Sequence, residues 1–451
     1  MFYSVNQYGA AMMMPLPHRN FMWTTPAWSQ PGDTIEFQTE CIDEIEEDDK
    51  MGHFFEVDLE YPTEYHNSHN DFPLLPENRN IDKSMLSTYQ LKLAKDTGVN
   101  LKVSAKSRKL VCSLHDKSRY VLHGRLLKQA LRLGMRLKKI HRVLSFDQSR
   151  WLASYIAENT RLRTENSDSE FDVFFYKLLN NSFYGKTVEN IMKHKVFKVV
   201  TSGTEFHRLR RKLQYSQADV LSNNLAIVEL EKASLVYDKP RYVGITVLNL
   251  AKLLMYNFHY QEVKRRFGKV KAQVSLLFTD TDSLMYSIEQ KPDQKQYNPW
   301  KILSRSKEMV FHNFPPNSKY YCEKNIMVPG FFKSEFANKL ILEFVGLNAK
   351  VYSIKFPRRE DDKKTHKGVS KWYQQQRLQH KHYYRALFYN EMKTANTKHI
   401  TSKSHKLYTI RRQKKCLSSF NDKQYYKHRT FPIAHGHYLL KHNDDGSGEQ
   451  N

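Results

Sequence analysis

Ser275-Leu276-Leu277-Phe278-Thr279-Asp280-Thr281-Asp282-Ser283-Leu284-Met285-Tyr286-Ser287-Ile288 sets two apolar runs on either side of a short polar centre. Ser275–Phe278 and Ser283–Ile288 have strand composition, and Thr279–Asp282 between them predicts a tight turn, so the stretch reads as an antiparallel β-hairpin. The turn presents Asp280 and Asp282, which point the same way if that backbone is extended. Two carboxylates so close repel each other, and a cation relieves the repulsion; hard oxygen donors suit Mg²⁺. Taken alone, an Asp-x-Asp is more often an ordinary polar turn than a metal site, so the reading needs a second element.

That element lies about a hundred residues upstream. Asn166–Ser169 interrupts a helical pattern, and Ser167 with Glu170 has the spacing of a capping box, so a helix is expected from there to about Phe183. Trp151–Arg163 also has helical spacing, and the pair predicts a helical hairpin. On the second helix Lys177, Asn181 and Tyr184 stand at i, i+4 and i+7 and share one face, with Phe174, Phe175, Leu178 and Leu179 supplying apolar surface elsewhere. Gly185 reads as the C-terminal stop. Spacing by itself favours the plainer reading, a surface helix with one solvated lysine.

Composition limits what surrounds these elements. The 451 residues are 40% hydrophobic and 13% aromatic, enough for a sizeable core and about three lobes, which excludes a disordered or collagen-like chain. Lys plus Arg number 72 against 47 Asp plus Glu, a net charge of +25 that favours a polyanionic partner. The charge is uneven: residues 1–100 hold 6 basic and 17 acidic residues, so the remainder is strongly basic. Within the head, the run from Asp43 to Asp49 is expected to be a solvated loop at a boundary or insertion, because like charges that dense repel. From Val351 to Asn451 there are 22 basic and 8 acidic residues, with Tyr383, Tyr384, Tyr408, Tyr425 and Tyr426 interleaved, a composition suited to phosphate contact and stacking, or equally to a solvated basic surface. Residues 443–451 read as a disordered tail. The most apolar stretch, Ile245–Phe258, is broken by Asn249, Lys252 and Asn257, so no membrane span is expected. Met1-Phe2-Tyr3-Ser4 shows no secretory signal, and four scattered cysteines (Cys41, Cys112, Cys322, Cys416) fit neither a disulfide framework nor a CxxC site, which points to a reducing, intracellular compartment.

Together the two motifs resemble a known family. Lys177-Leu178-Leu179-Asn180-Asn181-Ser182-Phe183-Tyr184-Gly185 matches K-x-x-x-N-S-x-Y-G, motif B of family B DNA polymerases, and Phe278-Thr279-Asp280-Thr281-Asp282-Ser283 matches their motif C, Y-x-D-T-D-S, with Phe for Tyr. Lys350-Val351-Tyr352 resembles the K-x-Y element of the protein-primed subgroup. Glu56-Val57-Asp58-Leu59-Glu60-Tyr61-Pro62, His69 to Glu77, Ser404 to Thr409 and Leu417 to Lys423 are similar to blocks in polymerases of Polinton (Maverick) transposons and related viruses. The resemblance covers nearly the whole chain.

It implies an α+β right hand: an antiparallel palm sheet, helical fingers and a basic thumb. Residues 1–52 would be partial palm with the motif A remnant and the acidic loop, 53–150 an insertion resembling the region that contacts a terminal protein, 151–200 fingers, 201–355 palm with motif C and K-x-Y, and 356–442 thumb. The exonuclease domain that relatives place upstream would be lacking, as in an N-terminally truncated copy. By resemblance Asp280 and Asp282 are the metal ligands and Lys177 the cation on the incoming triphosphate. Arg163 is expected beside it, with Arg161 an equal candidate on position alone. Asn181, Tyr184 and Tyr8 would line the nucleotide, while Lys350, Tyr352, Ser182 and Gly185 would contact DNA. The implied cofactor is Mg²⁺, the implied partners primer-template DNA, deoxynucleoside triphosphates and a terminal protein, and transposon kinship implies nuclear residence.

One departure stands out. In this group motif A reads roughly D-x-N-x-L-Y-G before Pro-Leu-Pro; Val5-Asn6-Gln7-Tyr8-Gly9 before Pro15-Leu16-Pro17 fits its second half and sets the metal-binding Asp opposite Tyr3. Two-metal phosphoryl transfer needs carboxylates from two strands to hold ions ~3.5–4 Å apart, and tyrosine lacks the charge. The chain therefore reads either as a DNA-directed DNA polymerase impaired at motif A or as an inactive DNA-binding remnant. Glu56 or Asp58 as a substitute carboxylate is disfavoured, because the block around them is already accounted for.

Overall fold

The computed structural model describes residues 1–24, 32–101, 108–290, 297–336, 339–359, 362–403, 406–429 and 431–443. The tail from 444 onward, and Ser404 and His405 of the C-terminal block, lie outside them. The chain is mixed α+β.

The 275–288 stretch is a hairpin, with strands Gln273–Asp280 and Ser283–Glu289. Pairing runs closer to the tip than the sequence suggested: Asp280 is opposite Ser283, so only Thr281 and Asp282 make the turn. Thr281 has φ 53°, a conformation that costs a β-branched residue free energy and that the surrounding sheet must impose. The hairpin is one edge of a five-stranded sheet whose next members are Phe2–Ser4, Phe332–Ser334 and, parallel to the last, Met309–Val310. Phe2 and Phe332 turn towards the helical stretch 241–268, where Phe258 stacks on Phe332 with centroids 3.7 Å apart and meets Phe2 edge-on at 5.8 Å. Their neighbours in register, Tyr3 and Lys333, project from the opposite, open face.

A second, four-stranded antiparallel sheet runs Leu16–Thr24, Arg136–Ser149, Met51–Glu60, Lys117–His123. It draws strands from both sides of residue 52. Helix Gly124–Arg132 packs on it, and the acidic run lies beside that helix with Asp43, Glu44, Glu46, Glu47 and Asp48 exposed, as expected, while the fold adds cations to three of them. Asp43 pairs with Arg132, Glu47 with Arg125 at 2.8 Å, and Asp48 with Arg150 at 2.6 Å, while Lys128 donates to the Ile45 carbonyl at 2.6 Å. Helix Ile35–Glu44 includes Asp43 and Glu44. Dense like charge is tolerated here because the fold brings cations distant in sequence against it.

Helices Ala153–Glu165 and Glu170–Thr187 form the expected hairpin. The cap is Ser169, whose side chain accepts from the Asp172 N–H at 3.2 Å, and not Ser167. Gly185 does not end the helix, which continues to Thr187. Beyond it, Lys195–Val200, Leu225–Glu231 and Tyr215–Ser222 make a small sheet. In the C-terminal third, Glu343–Asn348, Val351–Lys355 and Lys363–His366 form another sheet, joined by helix His380–Tyr389 and a long hairpin, Lys393–Lys403 with Lys406–Leu417. No helix among the described residues is long and apolar enough to cross a membrane. All four cysteines are free.

Candidate active site

The backbone of the 2–4 strand fixes the turn that carries the carboxylates. Ser4 N–H donates to the Asp282 carbonyl at 2.8 Å, and Tyr3 stands directly across from Ser283. Burial of the Asp282 carboxyl pushes its pKa up, the Asp280 charge adds to this, and the Lys177 ammonium opposes it. Lys177, a hundred residues away in sequence, is thus within electrostatic reach of Asp282. Asp280 faces a different cation: Lys350 Nζ lies 3.4 Å from its Oδ1. Lys350 has φ 62° at the turn before strand Val351–Lys355, which swings its side chain back towards the hairpin.

Two residues along, Tyr352 is only 5% exposed; its ring packs on Phe278 at 4.8 Å and on Phe344 at 5.9 Å. The structure therefore places Lys350 at the carboxylates and Tyr352 in the apolar layer beneath them.

Helix Gln7–Met12 brings Tyr8 over the turn. Asn6 enters it with φ 43°, and Ala11, Met12 and Leu16 anchor it on Leu152, Ile156, Val243 and Val247. Burial raises the Tyr8 pKa, with a smaller contribution from the Asp282 charge. Its ring is stacked on Tyr184, centroids 4.6 Å apart and planes within 7°. Burial, helped by Tyr8, pushes the Tyr184 hydroxyl up to about 12. Both phenols are therefore neutral hydrogen-bonding groups at physiological pH.

The helical hairpin is held in register by a buried contact that spacing did not reveal: Asn159 Nδ2 donates to Asn180 Oδ1 at 2.9 Å. Antiparallel helices locked there set Arg163, one turn further along, opposite 176–177. Arg163 Nε is buried with no hydrogen-bond partner among the described residues, and burial lowers its pKa. Arg161, the rival candidate, is held by Glu158 at 2.7 Å and Glu165 at 2.6 Å on the solvent face. Asn181, Ser182 and Gly185 are exposed, and the Ser182 hydroxyl donates to the Leu179 carbonyl at 3.0 Å. A Cβ on Gly185 would meet nothing within 4 Å. Gly244 is the reverse case: a Cβ there would collide with Val188 and Thr187, so its absence lets the end of the hairpin close onto helix Arg241–Tyr256.

Lys333 is a site residue that the sequence did not single out. Its Nζ lies 5.0 Å over the Tyr3 ring, and burial lowers its pKa. Only strand pairing shows it. Glu56 and Asp58 stand in the other sheet: Glu56 pairs with Arg119 at 2.8 Å and Arg142 at 2.5 Å, and Asp58 lies 2.8 Å from His141. Among the described residues no group of three or more His, Cys, Asp or Glu side chains is arranged to hold a metal.

No family model matches the sequence, and no curated protein does. Solved structures similar to this one are Phi29 DNA polymerase complexed with primer-template DNA (14% identity, TM-score 0.47) and with primer-template DNA and incoming nucleotide substrates (13%, 0.45). An orthorhombic crystal form of Phi29 DNA polymerase is also similar (12%, 0.46). Each comparison covers 92% of this chain and 57% of the other, so the chain spans a little over half the length of the polymerases it is similar to.

Proposed function

We propose that this chain is a DNA-directed DNA polymerase of the protein-primed family B type, adding deoxynucleotides to a primer 3′-hydroxyl, with its rate held down by Tyr3. The observation that carries the reading is the meeting of three sequence-distant segments, bearing Tyr8, Lys177 with Tyr184, and the Asp280–Asp282 turn, around one pair of carboxylates. In this reading the five-stranded sheet is the palm, the 153–187 hairpin the fingers, and residues 356–442 the thumb. The sheet built from both sides of residue 52 would hold the surface for a terminal protein.

Lys177 would take the triphosphate of the incoming nucleotide, with Arg163 beside it. Tyr8 and Tyr184 would separate to admit sugar and base, and Asn181 would line the same pocket. Ser182 and Gly185 would lie along the template, and Lys350 would stay near the primer end with Tyr352 supporting it from below. The donor set fits one hard cation: Asp280 and Asp282 are adjacent carboxylates, and their repulsion is one cause of the raised Asp282 pKa. It does not fit two, since the facing strand offers a phenol under an ammonium. When bound, Mg²⁺ would supply charge neutralisation for the transferring phosphoryl group.

The Tyr3–Lys333 pair is also the observation that favours a second reading, an inactive DNA-binding remnant. Primer extension with Mg²⁺ separates the two. Under the first, the chain extends slowly, Asp282→Asn removes the activity, and Tyr3→Asp raises it at least about tenfold. Duplex binding without extension, in the chain and in Tyr3→Asp alike, would leave the remnant.

A further inference from the structure

At the far edge of the five-stranded sheet from the Asp280–Asp282 hairpin lies a cavity of about 540 Å³. Three strand spacings, about 14 Å, separate strand Met309–Val310 on its wall from strand Ser283–Glu289. Four lysines converge on the cavity, Lys301, Lys307, Lys319 and Lys324, with no carboxylate among the lining residues.

This convergence contrasts with cationic side chains elsewhere in the fold. Arg125, Arg132 and Arg150 meet the acidic run, and Arg119 and Arg142 meet Glu56. None of the four lysines forms an ion pair with a described residue, and Lys319 lies 5.2 Å over the Tyr320 ring instead. All four lysines are exposed, so water and salt screen their mutual repulsion; what they offer an arriving anion is four ammonium groups around one space with no competing carboxylate in the lining. The wall is preformed: Met309 and Phe311 are buried against the sheet. Tyr320 contributes a buried hydroxyl that has no hydrogen-bond partner among the described residues, a donor whose desolvation is uncompensated in the chain alone. Ser304 and Ser306 add further hydroxyls to the lining.

We propose that this cavity is a binding site for a compact polyphosphate anion, either inorganic triphosphate or the triphosphate of a nucleotide. Lysines are point-charge phosphate ligands, and a half-open recess of this size, with its cations gathered around one space, suits a small molecule, whereas a duplex backbone would need a stripe of charge running well beyond it. The site is separate from the one assigned to Lys177.

Equilibrium dialysis of the full chain against inorganic triphosphate, and separately against dATP, tests it. Lys177→Ala keeps the proposed fingers site out of the count. In that background one equivalent of triphosphate is expected to bind, and adding Lys307→Ala with Lys319→Ala weakens it at least about tenfold with an unchanged melting temperature. Tyr320→Phe weakens it about threefold with the fold intact. Tighter binding of dATP than of triphosphate identifies a nucleotide as the source, and the opposite order an inorganic anion; both uphold the site. It is overturned if Lys177→Ala binds neither probe at millimolar concentration, or if binding ignores the two lysines. An equal loss of duplex affinity in the double lysine variant would also overturn it, by making the cavity a nucleic-acid contact.

Discussion

Arg161 and Arg163 are two residues apart on one helix and differ in what surrounds them. Arg161 is held between Glu158 and Glu165 on the solvent face, where i,i+3 and i,i+4 pairs stabilise a helix by only a few tenths of a kcal/mol. Arg163 is partly buried with an unpartnered Nε, so it is already desolvated and gains most from an arriving anion. Arg163→Ala is therefore expected to weaken deoxynucleotide binding about tenfold, and Arg161→Ala by less than about twofold, as read by fluorescence titration. Equal effects would remove Arg163 from the site. Lys177 carries a related prediction. Because its charge is sensed at Asp282, Lys177→Ala should weaken nucleotide binding about tenfold or more and leave duplex affinity within about twofold. If duplex affinity fell in parallel, Lys177 would be a DNA contact instead.

The helix Glu170–Thr187 shows how a single position can set stability against binding. Gly185 lies inside it, exposed, with room for a side chain. An interior glycine costs a helix roughly 0.5–1 kcal/mol relative to alanine, and no contact among the described residues requires it. Gly185→Ala should stabilise the fold by that amount in urea unfolding while weakening primer-template binding several-fold, as expected if nucleic acid needs the space. A variant both more stable and equally tight would show the space to be unused. Gly244→Ala should do the opposite, destabilising by about 1–3 kcal/mol because Val188 and Thr187 already fill the position. These helices and the Asp280–Asp282 hairpin were legible in the sequence because their patterns are local: period 2 around a polar turn, period 3.6 after a break. What escaped was set by distant partners. The cap moved from Ser167 to Ser169 because both are serines and only the chain path chooses between them. The acidic run is solvated as read, but its pairing escaped because Arg125, Arg132 and Arg150 approach it only in the fold. Lys333 was invisible because strand pairing alone puts it over Tyr3.

At the scale of the whole molecule, the C-terminal segment around 432–440 returns to residues 66–115 and is fastened by polar contacts, two of them made by His66 and His435. Tyr438 N–H donates to His66 Nδ1 at 3.0 Å, Ala434 N–H to Asn70 Oδ1 at 2.8 Å, and Leu114 N–H to the His435 carbonyl at 2.8 Å. Burial depresses the pKa of His69, His115 and His437 to about 4 each. Nearby charges act in the same direction at all three: Lys264 beside His69, Arg79 beside His115, and His66 beside His437; Asp71 and Glu77 oppose only weakly. The sign of the consequence is fixed. A histidine whose folded pKa lies below its unfolded value near 6.5 contributes stability that is complete above that value and is lost as pH falls through the folded one. Glu308 runs the other way: burial and Glu262 push it up to about 7, so its contribution is lost as pH rises through 4.5 to 7. Three histidines outweigh one glutamate between pH 7 and 5. The urea midpoint should therefore fall on acidification across that window, with each buried histidine accounting for on the order of 1–2 kcal/mol at pH 5. His437→Gln should flatten the fall by keeping a neutral polar side chain against His66. A midpoint that rises on acidification would show that Glu308, not these three histidines, governs the response.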